Sequence, residues 1–231
     1  NLVGLAIGIT CCLLILSFLK YELSFDQFNT KTDHIYRVNY DVLMGGNETV
    51  SPSVPVFVGP ALQQKYPEIE AVTRFSPEWT SRTIRHGNVL FDEKGFCYAD
   101  TNFFKVFDFK VIAGDLQTAL NKPNTLVITR EMANKYFGQT NPIGTALLFN
   151  NKKEFVVTAV MENVPSNSHF TFDFLTSFYS IPGFDSMQTK ESWNNPNYTT
   201  FLLLKPGTNV ATLSKKIEAW VNPPNETSQS A

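Results

Sequence analysis

Between Leu2 and Leu19 the chain runs for 18 residues, LVGLAIGITCCLLILSFL, without one charged side chain. At about 1.5 Å per residue such a helix spans roughly 27 Å, close to the hydrocarbon thickness of a bilayer. A cleaved signal peptide fits poorly, because its apolar region is usually about 7–15 residues and small residues mark the cleavage site after it. Here Lys20-Tyr21-Glu22-Leu23 follows directly. A lipoprotein signal at Cys11 fails too, since Thr10 precedes it and apolar residues continue beyond it. The run reads as an uncleaved transmembrane anchor, with the core helix of a soluble protein as the competing account.

Gly4 and Gly8 stand four apart, with Ala6 and Thr10 as a second small pair. Small residues at this spacing let another membrane helix approach closely, so Gly4 and Gly8 are the expected helix-packing residues. Ordinary glycine content of an apolar segment is the alternative. After the span, Glu22, Asp26, Asp33 and Asp41 slightly outnumber Lys20, Lys31 and Arg37, which favours a non-cytoplasmic side. Tyr21, Phe25 and Phe28 recur at i, i+4 and i+7 with no Gly or Pro between them. They predict a stalk face on a helix continuing from Leu2 to about Phe28, on the order of 40 Å long.

The rest of the 231 residues must make a folded body: 43% of the chain is hydrophobic and 17% charged, enough to bury a core. A net charge of -2 gives no electrostatic footprint for a nucleic-acid backbone, so nucleic acid is not an expected partner. Cys97 is the only thiol outside the apolar run, which excludes a disulfide framework or a Cys-based zinc site in the body. Ile35 to Val42 alternates as a half-buried strand, ended by Gly45-Gly46-Asn47. Pro55–Lys65 reads as a helix and Ile69–Phe75 as a strand, completing a β-α-β unit. A hairpin is expected from Arg82–His86, a Gly87-Asn88 turn and Val89–Tyr98. A short helix to Val106 and a strand over Phe107–Ile112 follow. Thr129 then caps a helix that stops at Phe137-Gly138. Strands at Ala146–Phe149 and Glu154–Met161 flank an Asn150-Asn151 turn. Tyr198–Leu204 and a helix over Asn209–Val221 complete an α+β (mixed α/β) pattern.

No catalytic, cofactor or metal site is expected. A phosphate-binding loop needs Gly-x-x-x-x-Gly-Lys-Ser/Thr, and the nearest stretch, Gly138 to Thr145, has five residues between its glycines and no Lys. It suits a turn at Pro142-Gly144 instead. His34, His86 and His169 lack metal-ligand spacing, and Ser166-Asn167-Ser168-His169 suits a turn after Pro165. Asp92-Glu93, followed by Lys94-Gly95, reads as a solvated bend. Phe103, Phe104, Phe107 and Phe109 form either a core cluster, which is the default, or an exposed contact for a partner.

Taken in order, three stretches resemble the MacB/FtsX-like family of ABC transporter permeases: GLAIGITCCLLILSFLKYELSFDQF with IYRV after it, then YADTNFFKVFDFKVIAGD through NTLVITREMANKYFGQTNPIGTALLF, then FVVTAVMENVPSNSHFTFDF. More narrowly, they are similar to the MacB-like periplasmic core domain of Bacteroidetes-type permeases. The resemblance implies a domain inserted after the first transmembrane helix of a bacterial inner-membrane permease, facing the periplasm. It implies a porter-like α/β part close to the membrane, expected over 35–76 and 196–222, and a β-rich part over 80–180. Residues 1–28 are the expected transmembrane and stalk helix, and 223–231 a linker or truncated end. The implied partners are the membrane, a cytoplasmic ABC ATPase subunit that hydrolyses the nucleotide, a second permease copy, and a periplasmic adaptor or envelope protein. Such a domain couples helix movement to substrate export or to an envelope partner. The alternative is the extracellular sensor domain of a membrane-bound signalling receptor.

Overall fold

The computed structural model describes residues 1–44, 47–184 and 196–221. The turn expected at Gly45-Gly46 and the segment 223–231 lie outside them. In chain order the first elements are α1 (Leu2–Glu22), β1 (Ile35–Val38), β2 (Tyr40–Met44), β3 (Asn47–Ser51), α2 (Val58–Lys65) and β4 (Ile69–Pro77). Next come β5 (Arg82–His86), β6 (Val89–Glu93), β7 (Phe96–Ala99), α3 (Phe103–Val106), β8 (Val111–Gly114) and β9 (Thr125–Thr129). The chain continues through α4 (Arg130–Phe137), β10 (Ala146–Phe149), β11 (Lys153–Met161), β12 (Phe174–Ser177), β13 (Thr199–Leu204) and α5 (Val210–Val221). This is a mixed α/β protein, and it divides into two compact units.

One unit combines His34–Arg74 with the described part of Ser186–Ala231. There β13 lies between β1 and β4, antiparallel to β1 with Ile35 opposite Leu203. Alternation along β13 turns Leu202 and Leu204 into a core shared with Leu62 and Tyr66, around α2, and Leu213 of α5. The Tyr66 hydroxyl donates to the Lys216 carbonyl at 2.8 Å, and Lys216 Nζ lies 2.7 Å from Glu68 Oε1. These contacts seat α5 through one apolar stripe, as its spacing of Leu213, Ile217 and Trp220 requires.

The other unit holds Asn1–Asp33 and Phe75–Asp185. Its strands run β7-β12-β9-β11-β10-β5-β6, and β8 pairs with the second half of β11. β12 is parallel to β7 and antiparallel to β9, while β9 and β11 are parallel. Thr129 caps α4 by accepting from the Met132 amide, and Gly138 ends it with φ 59°, a conformation that costs glycine little. Met132, Tyr136 and Phe137 press that helix onto Leu126, Ile128, Phe155 and Phe174. A second layer of rings joins Phe75, Phe103, Phe107, Phe170 and Phe172. Phe103, Phe104 and Phe107 are buried, so the phenylalanine cluster is core.

Several expectations change. The first strand breaks at Asn39 into β1 and β2, and the strand over Val89–Tyr98 breaks at Lys94-Gly95 into β6 and β7. Phe107–Lys110 is irregular, because Asp108 is held by a different segment, and the strand starts only at Val111. Glu93 is buried rather than solvated: it accepts from the Tyr136 hydroxyl at 2.8 Å and lies 2.7 Å from Lys135 Nζ. Burial, with the Glu93 carboxylate next, pushes the Tyr136 phenol well up. The helix expected to reach Phe28 ends at Glu22.

Candidate functional site

α1 has mean hydropathy 2.7 over its most apolar 18 residues and buries none of them against the body. By length and composition it can cross a membrane. A Cβ added at Gly4 or at Gly8 meets nothing within 4 Å, so both positions present an open small-residue face. Thr10 Oγ1 donates to the Ala6 carbonyl at 2.8 Å, satisfying its hydroxyl inside the helix as an apolar surrounding demands.

The foot of this helix is where the chain's polar groups converge. The Leu23 amide closes the last turn on the Leu19 carbonyl at 2.9 Å, after which residues 23–28 form turns. Asp26 adopts φ 57°, a left-handed conformation that costs a non-glycine residue on the order of 1–2 kcal/mol. Contacts from the loop between β11 and β12 offset that cost. The Asp26 amide donates to the Asn167 carbonyl at 2.9 Å. The Asp26 carboxylate accepts from the His169 amide at 3.0 Å and lies 2.6 Å from His169 Nδ1. Asn167 Nδ2 donates to the Ser24 carbonyl at 2.8 Å and meets its Oγ at 3.0 Å, and the Tyr21 hydroxyl donates to the Ser166 carbonyl at 3.2 Å. The loop holds its own shape, since the Ser168 amide donates to the Pro165 carbonyl at 3.1 Å.

A second set of bonds begins three residues after Asp26, at Asn29. The buried Asn29 donates from Nδ2 to the Asp26 carbonyl at 3.1 Å, and its Oδ1 accepts the Asp108 amide at 2.9 Å. Asp108 accepts from the Thr30 amide at 2.8 Å and the Thr30 hydroxyl at 2.5 Å, with Lys31 Nζ at 3.2 Å. Lys31 also donates to the Lys105 carbonyl at 2.7 Å. Burial works to raise the Asp108 pKa, but the bonds from Thr30 and Lys31 outweigh it and hold the carboxyl below its ordinary value. Rings complete the clamp: Tyr21 meets Phe25 edge-on at 5.3 Å, Phe25 meets His169 at 5.1 Å, and Phe28 meets Phe109 at 5.3 Å.

The three residues expected on a stalk face therefore do meet the body, yet not as one helical stripe. Tyr21 is in the last helical turn, while Phe25 and Phe28 lie in the turns beyond it and face different partners. The groups that grip the helix end come from Lys105–His169, in the same compact unit as the helix, and not from the segments expected to form the porter-like part. Sequence reasoning missed Asp26, Asn29, Thr30, Lys31, Asp108 and Asn167. Asp and Asn in a segment otherwise read as helix were the available signal, because their side chains compete with helical backbone bonds. Their distant partners lie 74 to 143 positions away in the chain. Of the remaining candidates, His86 packs its ring on Phe137 at 4.5 Å, and burial pushes the Cys97 thiol up to about 12.

A membrane-anchored domain with this two-unit mixed fold has known relatives. Residues 1–220 match the family profile of the MacB-like periplasmic core domain, and the chain belongs to that family. No match was found among curated proteins. Among solved structures, a domain of a protein assigned as a permease from Porphyromonas gingivalis superposes with TM-score 0.69 at 24% identity, covering 81% of this chain and 80% of that one. The periplasmic region of MacB from Actinobacillus actinomycetemcomitans gives TM-score 0.56 at 15% identity, over 86% of this chain and 84% of that one. The extracellular domain of the noncanonic ABC-type transporter YknZ from Gram-positive bacteria gives 0.53 at 16%, over 81% and 91%. At these identities the structures speak to the fold. The family is that of periplasmic domains of MacB-like ABC transporter permeases, membrane-associated components that are generally non-catalytic and belong to systems with an ATPase.

Proposed function

We propose that the chain is the periplasmic domain of an inner-membrane ABC permease, and that the foot of α1 passes ATP-driven movement of the membrane helices into that domain. The movement then serves substrate export or an envelope partner such as a periplasmic adaptor. ATP hydrolysis belongs to a separate cytoplasmic subunit in this reading, and Gly4 and Gly8 form the face on which a second permease copy packs. Residues 35–76 and 196–222 act as the porter-like part, 80–180 as the β-rich part. The observation that carries the reading is the clamp: two segments, Asn167–His169 and Lys105–Asp108, are bonded to the ten residues after the helix. A connection made of many short bonds transmits displacement, whereas a Gly/Ser-rich one absorbs it.

The test is an insertion of six Gly and Ser residues between Glu22 and Leu23 in the full-length permease with its ATPase. Transport should fall at least severalfold while basal ATP hydrolysis stays near the parent level. If transport survives the insertion but is abolished by deleting the whole domain, the domain is a tethered binding module and the mechanical reading is wrong.

A further inference from the structure

The clamp also fixes where the β-rich unit stands with respect to lipid, and this follows from the transmembrane reading of α1. If Leu2–Leu19 fills the hydrocarbon, Tyr21 lies about 3 Å beyond its edge, and the headgroup layer extends roughly 5–8 Å. Helical side chains tilt back toward the helix N-terminus, so the Tyr21 ring reaches toward the bilayer and not away from it. Its hydroxyl is 3.2 Å from the Ser166 carbonyl, which brings the turn after Pro165 to headgroup depth. Leu23, only about 6 Å past Leu19 along the axis, is 71% exposed, a costly place for a leucine in water and a favourable one at the lipid boundary. Around it, Lys20, Ser166 and His169 are exposed, the His169 side chain by 72%.

We infer that Leu23 and the turn Pro165–His169 rest in the phospholipid headgroup layer, so that the β-rich unit lies on the membrane surface. The Leu23 side chain lies among the headgroups. The Lys20 ammonium, the Ser166 hydroxyl and the free edge of the His169 imidazole are the donors that meet lipid phosphodiesters. Glu22 offsets Lys20 in charge, and the Asp26 carboxylate is already engaged by His169, so the contact does not require anionic lipid. A zwitterionic surface is sufficient. The patch is continuous with the membrane-spanning helix, which holds it at the surface at a high effective concentration.

The test places the full chain in phosphatidylcholine nanodiscs and reads depth by fluorescence quenching. Only the carbonyl of Ser166 enters the clamp, so its side chain can be replaced without breaking it. A thiol-reactive bimane is attached to S166C in a C11A/C12A background, where Cys97 is buried and stays unlabelled. The reference is N151C in the same background, at the turn before β11, on the order of 30 Å from the membrane-side end of that strand. Lipid carrying a nitroxide on its headgroup should quench the S166C label several times more strongly than the N151C label. Equal quenching at both positions overturns the inference. A separate label on Cys12 with Cys11 replaced, quenched by an acyl-chain nitroxide, reports the span itself. Quenching at Cys12 with none at S166C sinks the surface contact alone, and no quenching at Cys12 sinks the transmembrane reading with it.

Discussion

Asp108 shows how one side chain can carry a junction. Its carboxylate takes both the amide and the hydroxyl of Thr30 and faces Lys31, and each bond to a charged acceptor is worth about 1.5–3 kcal/mol in a protected setting. Lys31 and Asp108 are each about a third exposed, so solvent screening cuts the ion-pair part to a few tenths of a kcal/mol. The hydrogen bonds dominate. Because the folded pKa lies below the ordinary value of 3.8, the ionised form stabilises the fold fully above that value. The contribution disappears as pH falls through the lower, folded value. D108N keeps an acceptor oxygen but no charge, and should lower stability by about 1–2 kcal/mol at pH 7. The difference from the parent should narrow as pH falls below 3.8 and through the lower, folded value, as read by urea unfolding in detergent at pH 7 and in acid. An equal loss at both would mean that shape, not charge, is what Asp108 supplies.

At the scale of elements, β8 is held to β11 by a contact that leaves no room for a side chain. Gly114 has φ 79°, and a Cβ there would run into the Thr158 carbonyl and come within 2.8 Å of Ala159 Cα. G114A should cost about 2–4 kcal/mol, the sum of a left-handed alanine and backbone overpacking, and should strip exchange protection from the β8–β11 pairing. Gly138 supplies the control, since its φ of 59° and ψ of -116° also favour glycine but the space around it is open, so G138A should cost the backbone strain alone, about 1–3 kcal/mol, and less than G114A. Equal urea midpoints for the two variants would show that packing at Gly114 does not matter. What was legible in the sequence follows the same division between local and distant causes. The Thr129 cap, the Gly138 stop and the Asn150-Asn151 turn are written in neighbouring residues, and the structure has them. β12 was not legible: all four of Phe174–Ser177 are buried between β7 and β9, so no alternation marks them as strand. The end of α1 was illegible for another reason. The period of Tyr21, Phe25 and Phe28 is helical, but Asn167 and His169 outbid the helix for the backbone and side chains of Ser24 and Asp26.

For the whole molecule, the boundary between anchor and body therefore falls at Glu22 and not at the last residue of an imagined stalk. α1 buries no residue against the body, so removing it takes away no core, and every charged residue of the chain lies after Leu19. A chain lacking Asn1–Leu19 should be soluble without detergent, folded, and close to the parent in its urea midpoint. A chain lacking residues 1–31 loses in addition the Asp26 bonds to His169, the Asn29 and Thr30 bonds to Asp108, and the Phe28–Phe109 ring contact. The five polar contacts named, at about 0.5–1.5 kcal/mol each, are offset by the entropy of ordering the twelve residues, but cutting them away leaves the Asp108 carboxylate and the turn 166–169 without the partners that satisfy them, at about 1–3 kcal/mol for each group left unmet. The longer deletion should thus lower the midpoint markedly, with the loss appearing first as proteolysis near Asp108 and Ser166, whose partners are gone. If both truncations unfold at the same urea concentration, the residues after α1 are a passive tether, and neither the force-passing role nor the surface seat of the β-rich unit has a physical basis.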